Sequence, residues 1–324
     1  MKPKILDVLH CPRCASQLSV VSLEEDQTEI RRGRLTCKGA TPHVYEIEDG
    51  IIRMATGFDH EAVKREIHYE NSTYKGSDRL TDAKLIGQFP ETLHELWPHT
   101  CHFGPDFKVL IEHLDLKPDS WILDIGTGPC WSSRLLAQRG GNVIALDVNE
   151  ANFYGLKTSD IMFEAHKVYF ERILESMNNL PFRDKSIDCI TFNASFHHTP
   201  DHYKTLAECN RVLKPGGQIA MVNEEFESLR HRLFPPGEPS DTGSHHSIPY
   251  SDFEKAVKEN GFGLQYFVAD HVRKKLNIPG AITLIESFPA LLKQMNSALI
   301  ILRKPQSASR GRSTKSSATP VLQP

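Results

Sequence analysis

Apolar residues in the middle of the chain come in short runs, each followed by a longer stretch in which they recur every three or four positions. Trp121-Ile122-Leu123-Asp124-Ile125 and Val143-Ile144-Ala145-Leu146-Asp147 read as buried strands with a helix between them. Ile187-Asp188-Cys189-Ile190-Thr191-Phe192 is a third run, and the stretch after it sets Tyr203, Leu206, Ala207 and Leu213 on one helix face. Lys214-Pro215-Gly216-Gly217 stops that helix, because proline lacks an amide donor and glycine permits unusual backbone angles, and a strand follows over 218–222. Ser251-Asp252-Phe253-Glu254 has the spacing of a capping box, Gly261 is placed to end that helix, and the alternation of Leu264, Tyr266 and Val268 predicts a late strand. Strands alternating with helices predict an α/β fold, a largely parallel sheet with helices on both faces.

The pattern divides the chain into a ribbon at 1–56, a helical connector at 57–118, the α/β domain at 119–304 and a tail at 305–324. The tail is Ser, Thr, Pro, Gln and basic residues with no periodic apolar face, so it is predicted to be disordered. Arg303 and Lys304 lie at its root, and Arg310, Arg312 and Lys315 make it a solvated basic tail or a weak tether to RNA or an anionic surface.

Composition removes several classes. Of 324 residues 39% are hydrophobic and 24% charged, an ordinary globular balance, and a net charge of −3 gives no global attraction to nucleic acid. No apolar run reaches the roughly 18 residues of a membrane-spanning helix, and the first residues lack the apolar stretch of a signal peptide, so a cytoplasmic protein is expected. Seven cysteines, three of them within the first 37 positions, suit a metal site in a reducing compartment better than a disulfide framework.

Asp124-Ile125-Gly126-Thr127-Gly128-Pro129-Cys130 lies between the first strand and its helix. Glycines at 126 and 128 allow a tight turn and let backbone approach a ligand where side chains would clash. Asp147 ends the next strand about 20 residues on, where an acid in nucleotide-binding folds accepts hydrogen bonds from ribose hydroxyls. A dinucleotide site would want a third glycine where this chain has Trp131, which argues against NAD.

With these residues the chain resembles the class I S-adenosylmethionine-dependent methyltransferases. The resemblance rests on Leu123 to Gly128, Asp147, Asn179-Leu180-Pro181-Phe182 with Ser186-Ile187-Asp188, Asn193-Ala194-Ser195-Phe196-His197-His198, and Arg211 to Gly217. It implies a Rossmann-like sheet in which Asp124, Gly126, Thr127 and Gly128 hold the methionine part of S-adenosylmethionine, Asp147 its ribose, and Ser176 and Met177 flank the adenine, with Asn193 beside the cofactor. Two positions depart from the pattern: the third loop glycine falls on Cys130, and the acid that commonly meets the adenine amine falls on Ser176.

Methyl transfer from a sulfonium is an in-line displacement, so alignment supplies most of the catalysis, and a base is needed only when the acceptor carries a proton. His197 and His198, just past the third run at the carboxyl edge of the sheet, are the candidate bases, because imidazole titrates near neutrality. Glu224, Glu225 and the pair His245-His246 lie beyond the last core strand, where related enzymes carry substrate contacts; exposed loop positions are the alternative.

Cys11-Pro12-Arg13-Cys14 brings two thiolates to one ion from a tight turn, and Cys37 with His43 supplies the second pair of a three-cysteine, one-histidine zinc site. The segment through Met54 resembles the zinc ribbons that precede ribosomal RNA guanine methyltransferases and the small activator subunits of methyltransferases. RNA thereby enters as a substrate class, but residues 1–60 carry eight Lys/Arg against nine Asp/Glu and no basic stripe. The expected function is methyl transfer to an oxygen or nitrogen of a small-molecule or glycan-like acceptor, with a structural zinc and the connector as pocket cover. An RNA methyltransferase is the alternative enzyme, and a cofactor-binding scaffold the non-catalytic one.

Overall fold

Four strands from the first 53 residues and seven from the α/β half hydrogen-bond into one eleven-stranded sheet. The computed structural model describes residues 1–56, 61, 64, 82–152, 154–227, 248–275, 280–288, 290, 293 and 298–306. The ribbon strands are β1 (Leu18–Glu25), β2 (Ile30–Cys37), β3 (Val44–Glu48) and β4 (Ile51–Arg53), each antiparallel to the next. The α/β strands are β5 (Trp121–Ile125), β6 (Asn142–Asp147), β7 (Glu171–Leu174), β8 (Ile187–Asn193), β9 (Leu213–Val222), β12 (Gly263–Val268) and β13 (Ala298–Arg303). A separate pair, β10 (Phe226–Glu227) and β11 (Ile248–Pro249), stands outside the sheet. The sheet order is β1-β2-β3-β4-β7-β6-β5-β8-β9-β13-β12. From β4 to β9 neighbours are parallel, and β13 is antiparallel to both of its own.

The ribbon is therefore continuous with the catalytic half. Ile51, Ile52 and Arg53 pair in parallel with Arg172, Ile173 and Leu174. Beneath that seam lies a buried charge cluster. The Glu29 carboxylate receives the Arg172 guanidinium, the Met1 ammonium at 2.8 Å and, on its other oxygen, Arg31 at 2.8 Å, with the side chains of Arg172 and Glu29 only 1% and 2% exposed. This cluster explains why β7 is not legible in the apolar pattern. Its first two residues are charged, yet fully buried because the ribbon supplies their partners.

Within β5, alternate side chains enter different cores. Leu123 and Ile125 join the core that holds Met1, Ile5 and Leu9 of the ribbon, while Ile122 packs with residues of helices α1 (Ala83–Gly87), α2 (Phe103–Glu112) and α3 (Trp131–Ala137). Helices α4 (Ser159–His166), α5 (His202–Val212), α6 (Tyr250–Glu259), α7 (Asp270–Lys275) and α8 (Ala281–Glu286) complete the described set. The chain winds outward through β6 and β7 and returns to β8 on the other side of β5. The C-terminal ends of β5 and β8 thus border the crevice where open α/β sheets bind ligands.

Three local expectations change. The buried face of α5 is Thr205, Leu206, Cys209 and Val212, with Ala207 exposed; the helix ends at Val212, so Leu213 opens β9 instead of joining that face. β9 starts at Leu213 rather than 218, since Leu213 pairs with Ile187 and Gln218 with Cys189, and the residues between form an irregularity around Pro215, Gly216 and Gly217. The capping box does not form. Helix α6 starts at Tyr250 without a side-chain cap, and Asp252 and Glu254 instead accept hydroxyl bonds from Tyr203 and Tyr266, both at 2.9 Å. Much of the connector between 57 and 81, the pair His245-His246 and the tail from 307 lie outside the described residues.

Candidate cofactor site and metal centre

The loop after β5 is built around Asp124. Its carboxylate is fully buried and accepts the Ser132 and Ser133 hydroxyls at 2.6 and 2.7 Å and the Thr191 hydroxyl at 2.7 Å. Burial pushes its pKa up, against the pull of those hydroxyls. Asp124 thus ties β5 to the first turn of α3 and to β8, holding the loop from beneath. Thr127 joins the same network through Ser133 at 2.8 Å.

Gly126 and Gly128 have φ of +66° and +50°, and a Cβ on Gly126 would come 2.5 Å from that of Ser195. Cys130 also has φ of +60°, the left-handed region that the missing third glycine would occupy freely. Its side chain is fully buried, which pushes the thiol up to about 12. Trp131, at the position that argues against NAD, is packed edge-on against Phe107 of α2.

Asp147 closes the loop from the tip of β6. Its two oxygens accept the backbone amides of Gly128 and Asn149, each at 2.8 Å. At the end of β7 the Ser176 hydroxyl accepts the Asn178 amide at 3.1 Å, and Met177 packs half-buried on the core. Glu175, one residue before the expected acid position, is buried and accepts the Thr56 amide and hydroxyl at 3.0 and 2.7 Å. That link brings the end of the ribbon to the edge of the site, and no sequence pattern pointed to it. The connector reaches the loop too, through Arg134, which donates to the Phe89 carbonyl, and through Trp97, whose ring lies 5.4 Å from that of Tyr154. Tyr154 in turn flanks Gly128.

At the end of β8, Asn193 Oδ1 accepts Asn223 Nδ2 at 2.8 Å. His197 and Glu224 form a buried pair, with His197 Nδ1 2.8 Å from Glu224 Oε2. Glu224 also accepts the amides of Ser195 and His197 at 3.0 and 3.1 Å, so it is an internal brace of the loop rather than an exposed residue. His198 is half-buried with its ring 4.3 Å from that of His197 and tilted by 38°, while Glu225 is exposed.

In the ribbon, Cys11, Cys14, Cys37 and His43 bring their ligand atoms within 4.8 Å of one another. A tetrahedral zinc about 2.3 Å from sulfur and 2.0–2.1 Å from nitrogen sets S···S at about 3.7 Å and S···N at about 3.5 Å. Cys14 and Cys37 sulfurs are 3.7 Å apart, and His43 Nδ1 is 3.5 Å from both Cys11 and Cys37. Gly39 leaves the space that this knuckle needs, since a Cβ there would sit 3.0 Å from the Cys14 sulfur. Tyr45 OH lies 3.0 Å from the Cys11 sulfur, and hydrogen bonds from Ser16 bring the Cys14 thiol down to about 6, towards the thiolate a metal needs. The donor set fits a structural zinc.

Two protein families match separate parts of the chain. Residues 123–221 match the family described as a methyltransferase domain, and residues 2–50 the Trm112p-like proteins. A demethylmenaquinone methyltransferase from Staphylococcus saprophyticus is 30% identical over 51% of this chain and 64% of its own length. A ubiquinone/menaquinone biosynthesis C-methyltransferase from Legionella pneumophila is 27% identical over 50% and 60%. The chain thus spans less than two thirds of the curated relatives it matches. A solved complex containing the Haloferax volcanii Trm112 methyltransferase activator aligns at TM-score 0.49, with 15% identity over 69% of this chain and 97% of the other. Among the described residues no helix is long and apolar enough to cross a membrane. Residues 123–221 thus match a methyltransferase domain and residues 2–50 a Trm112p-like protein, and one continuous sheet joins the two matched segments.

Proposed function

We propose that the protein transfers the methyl group of S-adenosylmethionine to a small-molecule acceptor, at an oxygen or nitrogen. The observation that carries this reading is Asp147 at the tip of β6, hydrogen-bonded to the amide of Gly128. That arrangement holds a glycine loop and an acid where a nucleoside's ribose would sit. Asp147 accepts the ribose hydroxyls, Gly126, Thr127 and Gly128 present backbone to the methionine end, Ser176 and Met177 flank the adenine, and Asn193 borders the cofactor. Asp124 acts one layer below, by fixing the loop. Asp147→Ala is expected to weaken S-adenosylmethionine binding by about 1.5–3 kcal/mol, the scale of a lost charged hydrogen bond, or roughly 10- to 150-fold in Kd by calorimetry, in a protein that stays folded but melts somewhat lower because the Gly128 and Asn149 amides lose their acceptor.

His197 serves as the base, its Nδ1 held by Glu224, and His198 is the alternative. Glu224→Gln replaces a charged hydrogen bond by a neutral one. It should therefore lower kcat about five- to tenfold while leaving cofactor affinity near its original value, which rate and binding measurements on one preparation would separate. The proposed division keeps 1–56 as ribbon, 57–118 as pocket cover, 119–304 as the transferase and 305–324 as a tail. Cys11, Cys14, Cys37 and His43 hold a structural zinc, whose chemistry is to cross-link the ribbon and not to take part in transfer.

The test is incubation with methyl-labelled S-adenosylmethionine and a cell extract, followed by separation into small-molecule, RNA and protein fractions. Label in small molecules is the expected result. Label in a ribonuclease-sensitive fraction would overturn the acceptor class in favour of RNA, and no label in any fraction, with cofactor bound, would favour the scaffold.

A further inference from the structure

Away from the ribbon, a second group of metal-binding side chains converges where α2 meets α7. His102 and Asp106 stand one turn apart at the start of α2, and His271 is the second residue of α7; their ligand atoms all lie within 4.8 Å of one another. Asp106 is fully buried, an unusual place for a carboxylate without a strong partner. One of its oxygens accepts the His271 amide at 3.0 Å and so caps α7, while the other lies 2.6 Å from His271 Nδ1. The His102 ring sits 4.6 Å from the His271 ring, tilted by 52°.

We propose that His102, Asp106 and His271 form a second divalent-metal site, separate from the ribbon. Two ligands about 2.1 Å from one ion lie about 3.0–3.4 Å apart at octahedral to tetrahedral angles, so shifts of roughly an ångström bring all three onto a common ion. Two imidazoles and one carboxylate suit zinc, cobalt, nickel or ferrous iron rather than magnesium or calcium, which prefer all-oxygen shells. The capping bond to the His271 amide keeps one carboxylate oxygen in place while the other turns to the metal, an outer contact of the kind that orients metal ligands. Three protein ligands leave positions for water or an oxygen donor. Helix α7 follows directly from the C-terminal end of β12, on the sheet edge where ligands bind, so an acceptor's carboxylate, phosphate or hydroxyl oxygen is the chemical class that would complete the shell.

The site stands or falls independently of methyl transfer and of the ribbon's ion. The full chain, stripped of metal and titrated with Co²⁺, should take up two equivalents. One gives the intense thiolate-to-cobalt absorption of the cysteine site, and the other only the weak visible bands of nitrogen and oxygen ligands. His102→Gln and His271→Ala, made separately, should each weaken the second equivalent by more than the roughly 100-fold that outer-sphere changes cause, with the thiolate absorption intact as proof of folding. One equivalent in the unmutated protein, or a second that survives both substitutions, would overturn the proposal and leave Asp106 as a cap of α7.

Discussion

Glu29→Ala is expected to lower the unfolding free energy by about 3–5 kcal/mol, read as a fall in the urea midpoint at unchanged slope. The size follows from what stays behind. Arg172 would keep Ser159 and Asp160 as partners at 3.0 and 3.2 Å, but it and the Met1 ammonium would lose the carboxylate they share in a site with almost no water access. The exposed pair of Arg34 and Glu46, at 3.0 Å, is the control, and Glu46→Ala should cost under about 1 kcal/mol. The same cluster sets an acid limit. Burial opposes the Glu29 charge, but Arg172 and the Met1 ammonium more than offset it and hold the carboxyl below its usual range. A carboxyl with a lowered folded pKa contributes stability that is present above its unfolded pKa and is lost as pH falls through the folded one. Loss of the ribbon seam is therefore expected only below the ordinary carboxylate range, and Glu29→Gln should remove that part of the acid dependence.

Cys37→Ser should abolish stoichiometric zinc at the ribbon and lower the melting temperature together. Binding free energy at structural zinc sites in isolated fingers is about 10–16 kcal/mol and is folding free energy. Here Ile30, Leu35, Cys37 and Ile47 also belong to a core shared with the α/β half, so the ribbon would loosen without the whole chain unfolding. Because β4 pairs with β7 and Thr56 holds Glu175, the loosening should reach the cofactor edge and weaken S-adenosylmethionine binding as well. Metal analysis and calorimetry on the same variant check both; zinc content unchanged from the parent would remove Cys37 from the site.

The parts legible in the sequence are those where one residue type has few physical uses. Glycines at 126 and 128, an acid at the end of β6 and a Cys-x-x-Cys turn constrain backbone or ligand chemistry locally, so their spacing carries the message. What stayed hidden depends on partners far along the chain. β7 opens with Glu171 and Arg172, which look like surface residues until Glu29 from the ribbon is placed beside Arg172. Glu224 looks like a loop acid until three donors fold over it. The continuity of the ribbon with the sheet rests on three backbone-paired residues, Ile51 to Arg53, which carry no motif. The capping box near 251 failed for the converse reason, since tyrosines from β12 and α5 claimed both acids.

The measurement that tests the central claim most directly is calorimetric titration of the full chain with S-adenosylmethionine and with its demethylated product. The account predicts one site for each, competing with the other, weakened in Asp147→Ala and indifferent to NAD. Absence of binding to both compounds, or binding that Asp147→Ala leaves unchanged, would contradict it.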